Sequence, residues 1–121
     1  MSNSLNSYKD LIVWQRSMEL VTEIYKLTYK FPKEEIYGII SQMKRCAISI
    51  PSNIAEGRRR DSKKEFRRFL VIAYGSGAEL ETQVEISKRL KFVNESEFLK
   101  TNELLLETMK MLNKLLSTLR T

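Results

Sequence analysis

Residues 39–57 read IISQMKRCAISIPSNIAEG, and this stretch decides the fold. Together with Ile36, its apolar residues Ile40, Met43, Ala47, Ile50 and Ile54 recur at intervals of four and three, the period of one helix face. The period runs through Pro51 without losing register. A proline inside a helix removes one amide donor and presses on the carbonyl four residues earlier, here Ala47, at a cost of about 3 kcal/mol. The surviving register points to a kinked helix rather than a broken one. Ser49, Ser52 and Asn53 flank the proline with short polar side chains suited to satisfying freed backbone groups.

Working outward, the same period appears three more times. From Leu11 to Phe31 one stripe runs Trp14, Met18, Val21, Tyr25 and another Leu20, Ile24, Leu27, Phe31, with Pro32 closing the segment. The second helix is expected to begin near Pro32 to Glu34, where proline suits a first turn and Glu34 and Glu35 suit the positive helix end. Gly57 reads as its C-terminal cap. Ser62 and Glu65 have the spacing of a capping box before a third stripe of Phe66, Leu70, Ala73, Gly77, Leu80 and Val84. The small residues Ala73, Gly75, Ser76, Gly77 and Ala78 suit a close helix crossing. Asn94 and Glu97 suggest a second box, opening a last helix with Phe98, Leu105, Met109, Leu112, Leu116 and Leu119 inward.

Four helices with short joints predict an all-α, up-down-up-down antiparallel four-helix bundle with a proline-kinked second helix. Residues 1–8 are expected to form a flexible N-terminal arm and residues 9–121 one bundle domain, since 121 residues suffice for a single core. In the last helix Leu104, Leu105 and Leu106 together cover about 200°. The stripe Leu104, Met111, Leu115 is therefore either a subunit interface or part of a broad core face.

Composition removes several chemistries. The chain has no histidine and one cysteine, Cys46, which excludes His-based triads, His-containing zinc sites and thiolate clusters, and leaves no intrachain disulfide. Cys46 itself reads as a small core residue. Glu81 and Glu85 lie one turn apart and read as surface charges. No nucleophile-base pair, glycine-rich phosphate loop or metal spacing appears, so neither enzymatic activity nor a cofactor is expected. No basic-then-apolar leader and no membrane-length apolar run is present, which predicts a cytoplasmic protein away from membranes.

The formal charge of +6 lies entirely between Lys44 and Arg68. Lys44, Arg45, Arg58, Arg59, Arg60, Lys63, Lys64, Arg67 and Arg68 stand there against Glu56, Asp61 and Glu65, while the rest of the chain is neutral. Such a belt attracts phosphate, and arginine forks match its oxygens. Phe66 and Phe69 fall on or near the core stripe, so recognition by backbone charge and shape is expected rather than stacking on unpaired bases. Glu79, after the small-residue run, is expected to pair with Asn53 or Arg45 inside the bundle and fix its register.

Phe31-Pro32, Glu35, Gly38 and the run Gln42-Met43-x-Arg45-x-Ala47-x-Ser49-Ile50-Pro51-Ser52-Asn53-Ile54-Ala55-Glu56-Gly57 resemble the four-helix-bundle proteins encoded by intervening sequences in bacterial 23S ribosomal RNA genes. Leu11-x-x-Trp14-Gln15 and Phe69-Leu70-x-x-Ala73-x-Gly75-Ser76-x-x-Glu79-Leu80-Glu81 match as well, and the chain departs from the pattern at Gly77. The resemblance implies a homopentameric ring with a positive surface. It also implies similarity to the accessory variability protein of diversity-generating retroelements, which associates with a reverse transcriptase and with nucleic acid. Three function classes follow: a nucleic-acid (RNA or DNA) binding oligomer, a protein-binding adapter whose basic face docks an acidic partner or an accessory subunit, for example of a reverse transcriptase, and a structural ring.

Overall fold

The structure, a computed structural model, describes residues 7–120. The arm expected over residues 1–8 falls mainly outside the described residues; Ser7 and Tyr8 already belong to ordered structure, where the Ser7 hydroxyl caps a 3-10 turn over Tyr8–Asp10. Four helices follow, α1 (Ile12–Tyr29), α2 (Ile39–Arg59), α3 (Lys63–Arg89) and α4 (Leu99–Thr118), and no strand occurs among the described residues. The chain is an all-α four-helix bundle.

Side-chain contacts give its topology. Going up α2, Cys46 meets Gln83, Ser49 meets Ser76 and Gly57 meets Phe69, so the partner's number falls as α2's rises. Arg16 reaches Glu107 and Lys30 reaches Glu97. Lys44 lies over Tyr25 and Arg59 over Tyr8, Arg67 reaches Leu116, and Gly77 meets Met109. Each helix therefore runs antiparallel to the next, and α4 closes on α1.

The inward stripes fill the space between the four helices. Leu20 and Ile24, Met43, Ala47, Ile50 and Ile54, Leu70, Ala73 and Leu80, and Leu112 are all fully buried. Each such Leu, Ile or Met contributes about 1.5–3 kcal/mol relative to exposure. The other α1 stripe lies at the bundle's outer seam, with Trp14 and Val21 half-buried and Met18 and Tyr25 exposed. α2 is continuous through the buried Pro51. One turn away, the Asn53 amide donates to the Ser49 carbonyl at 2.8 Å and to its hydroxyl at 2.9 Å, and that hydroxyl lies 2.8 Å from the Ser76 hydroxyl. The polar group beside the proline thus bridges α2 to α3.

Three helix boundaries differ from the expectations. Lys33–Glu35 form only a 3-10 turn, and α2 begins at Ile39 because Gly38, at φ −113° and ψ −116°, leaves the helical region. Gly57 is not a cap but a buried residue inside α2, where a Cβ would lie 2.6 Å from the Phe69 Cβ and 3.3 Å from the Phe66 carbonyl oxygen. The turn is made instead by Arg60 and by Asp61 at φ 53°. Asn94 makes no capping bond; Glu97 reaches Lys30 at 2.6 Å, and the start of α4 is set by Phe98, buried beside Phe31. Ser62 does cap α3, its hydroxyl accepting from the Glu65 amide at 3.2 Å, but the Glu65 carboxylate turns to Arg68 instead of back to Ser62. At the other end of α3, Lys91 at φ 55° and bonds from Phe92 to Ser87 and from Lys91 to Lys88 form a Schellman ending.

The two tight glycines differ in what surrounds them. Gly57 faces the root of the Phe69 side chain, which moves only with its backbone, whereas Gly77 faces the sulfur of Met109, which can swing aside. Gly57→Ala is expected to lower stability by about 1–3 kcal/mol in a urea titration despite alanine's better helix propensity, and Gly77→Ala by less.

Candidate nucleic-acid interface

The short turn between α2 and α3 brings seven of the nine belt residues to one end of the bundle. Arg58, Arg59 and Arg60 end α2, and Lys63, Lys64, Arg67 and Arg68 open α3, facing only Glu56, Asp61 and Glu65. Four of the seven are held by the fold. Arg60 pairs with Glu56 at 2.8 Å and Arg68 with Glu65 at 3.0 Å, and both guanidinium groups lie near the buried Phe69 ring, 4.9 and 4.5 Å from its centroid. The Arg58 guanidinium sits 5.7 Å from Phe66, and the Arg67 Nε donates to the Leu116 carbonyl at 3.3 Å, near the end of α4. That last bond serves a carbonyl at the negative end of α4.

The remaining three, Arg59, Lys63 and Lys64, are exposed and have no carboxylate partner among the described residues. Arg59 lies 5.4 Å from the Tyr8 ring. Lys63 and Lys64 occupy the first turn of α3, where the positive helix end favours acidic residues. The hydrogen bond from Arg68 holds the Glu65 carboxyl below the usual carboxylate range, and the same bond raises Arg68. Glu65 thus stays charged and pairs with Arg68, while Arg59, Lys63 and Lys64 leave a positive surplus at the tip of the turn.

The other two belt residues stand apart. Lys44 and Arg45 precede Arg58 by fourteen and thirteen residues on α2, about 20 Å at 1.5 Å per residue. Lys44 lies over Tyr25, its Nζ 4.5 Å from the ring centroid. Arg45 lines a polar groove between α2 and α3 with Cys46, Ser49, Ser76, Glu79 and Gln83. Glu79 is exposed there, so the expected buried pairing with Asn53 or Arg45 does not form; the Asn53 amide is taken up by Ser49. Burial pushes the Cys46 thiol up; the Gln83 amide opposes the rise and the charge of Glu79 adds to it. A buried thiol so poised is a core group.

Leu104 belongs to the core of the bundle, 6% exposed, and Met111 and Leu115 are half-buried against that core. Of the three successive leucines, Leu104 and Leu105 pack inward and Leu106 faces outward, 54% exposed. Further apolar surface lies on the outer face of α3, at Val71, Ile72 and Ile86, beside Gly75, whose α-carbon faces open space. Sequence reasoning missed the aromatic partners of the cations, Tyr8 and Tyr25, because the contacts join α2 to residues distant in the chain. Among the described residues no acidic or thiol cluster is placed to hold a metal ion, and no helix is long and apolar enough to cross a membrane.

A family model described as 23S rRNA-intervening sequence protein matches residues 9–114. The bundle also superposes on a crystal structure from Bacteroides thetaiotaomicron, of a protein with unknown function from the S23 ribosomal protein family, with a TM-score of 0.77. The two share 24% identity over 86% of this chain and 97% of that one, a likeness of fold. No curated protein matches the chain.

Proposed function

We propose, from the premise that the chain belongs to the 23S rRNA-intervening sequence protein family, that it is a non-enzymatic, cytoplasmic, self-assembling protein that binds RNA or DNA through the α2–α3 turn. The observation that carries this reading is the placement of Lys63 and Lys64. Two cations at a positive helix end, beside a third in Arg59, cost stability and suit an anion. The exposed cations of the turn meet the ligand through its phosphates, with little regard to sequence.

Self-association into a homopentamer, which the family resemblance implies, finds support in two apolar surfaces on different helices. Val71, Ile72 and Ile86 face outward on α3 and Leu106 on α4, and a head-to-tail ring needs two such distinct patches. A ring would set several copies of the turn side by side and multiply the phosphate contacts.

Anisotropy of a labelled RNA or DNA duplex, titrated at several salt concentrations, tests the binding. Each phosphate met releases counterions, so three uncompensated cations give a slope of log K against log salt of about −2.7 or steeper per protomer engaged. Absence of salt-dependent binding to any nucleic acid overturns the reading. The basic turn would then serve a protein partner, an acidic one or a reverse transcriptase, and copurification would identify it.

A further inference from the structure

The seam between α1 and α2 carries a row of aromatic side chains with cations at its two ends. At the end near the α2–α3 turn, Tyr8 and Trp14 meet edge-on at 5.3 Å, and Arg59 lies over Tyr8. Toward the other end a groove opens between the last turns of α1 and the beginning of α2. Tyr25 and Tyr29, one helical turn apart, form one wall; Ile36 and Ile40 form the other; Lys33 and Lys44 stand at the rim. Tyr29 is 90% exposed.

The exposed tyrosine pair offers ring faces on which another ring can stack. Three features choose the occupant. The groove measures about 240 Å³, below the roughly 300 Å³ at which pockets for drug-sized molecules begin, which suits a single ring system. Its rim is positive: neither Lys33 nor Lys44 is ion-paired among the described residues, and Lys44 already sits at cation–π distance over Tyr25. The seam also leads along α2 to Arg59 past the apolar side chains of Trp14, Met18, Val21, Ile48 and Pro51, so a strand leaving the turn can follow it.

We propose that this groove takes an unpaired base of a nucleic-acid strand, stacked on Tyr29 and Tyr25, with the adjoining phosphates met by Lys33 and Lys44. The inference rests on the nucleic-acid reading of the α2–α3 turn and adds to it a preference for single strands. Duplex, whose bases are already stacked and whose width exceeds the groove, engages the turn alone. Aromatic stacking of this kind tolerates any base.

The test compares a 12-nucleotide oligouridylate and oligothymidylate with a duplex of equal length, by anisotropy, against the parent and Tyr25→Ala/Tyr29→Ala. Both tyrosines are exposed, so the variant keeps the fold, which circular dichroism verifies. The parent is expected to bind single strands more tightly than duplex. The double variant should lose about tenfold or more on the single strands and nothing on the duplex, and Tyr29→Phe should bind as the parent does. Unchanged single-strand affinity in the double variant overturns the groove proposal while leaving the turn in place. A change of oligomer size in that variant also overturns it, because a second copy of the chain then covers the groove. A parent that binds neither polymer overturns both readings.

Discussion

Replacing Arg59, Lys63 and Lys64 together by glutamate removes nucleic-acid binding, a loss on the order of 100-fold or more at moderate salt, while helicity and oligomer size remain those of the parent. No carboxylate within the described structure is ion-paired with any of the three, in contrast to Arg60 and Arg68. Stability separates this outcome from unfolding. Glutamate in the first turn of α3 complements the helix dipole where lysine opposes it, by about 0.3–1 kcal/mol per site. The double variant Lys63→Glu/Lys64→Glu should therefore melt a few degrees higher than the parent while binding less well. Arg89→Glu, Lys100→Glu and Lys110→Glu combined are the control, exposed and away from the turn. Lys114 does not serve, because the end of α4 abuts the turn through Arg67 and Leu116. If the turn variant binds like the parent, the basic end is a solvated surface.

Leu104→Glu is expected to cost about 4 kcal/mol or more, a large share of the 5–15 kcal/mol that holds a domain together. The side chain is 6% exposed within the hydrophobic core, so a carboxylate there is taken out of water. A thermal melt followed by circular dichroism should show the midpoint fall by more than about 10 °C. Leu106→Glu, on the outward side of the same helix, should leave the melt within about 0.5 kcal/mol of the parent and alter only the mass measured by light scattering. A normal melt for Leu104→Glu would return that residue to the subunit interface.

The contrast between these two leucines marks where the sequence was legible. Periodicity placed all four helices and nearly every core residue, because burial on one helix face leaves a repeat of three and four. It could not choose among Leu104, Leu105 and Leu106, since consecutive apolar residues fit more than one face and only the packed neighbours decide. Gly57 misled for a related reason. Glycine ends helices and also admits close neighbours, and the Phe69 Cβ that needs the space lies twelve residues further on. Asn94 and Glu97 had the spacing of a cap, but Lys30, from the end of the neighbouring α1, competes for the glutamate.

The charge count located the basic turn correctly and drew it too long. Lys44 and Arg45 belong to the same sequence window, yet a helix advances 1.5 Å per residue, which alone carries them about 20 Å from Arg58. The pairing of cations with Tyr8 and Tyr25 was illegible, because each joins residues from different helices.

The succession of antiparallel neighbours also orders the way the chain is assembled. Closing α2 on α3 requires only the few residues around Asp61, and the entropy of loop closure is correspondingly small. Joining α1 to α4, as in the contact between Arg16 and Glu107, encloses most of the molecule. The α2–α3 hairpin is thus the natural folding nucleus, with α4 docking late on α1. Substitutions along the Ser49–Ser76 contact should then slow folding, and substitutions at the Arg16–Glu107 contact should chiefly speed unfolding.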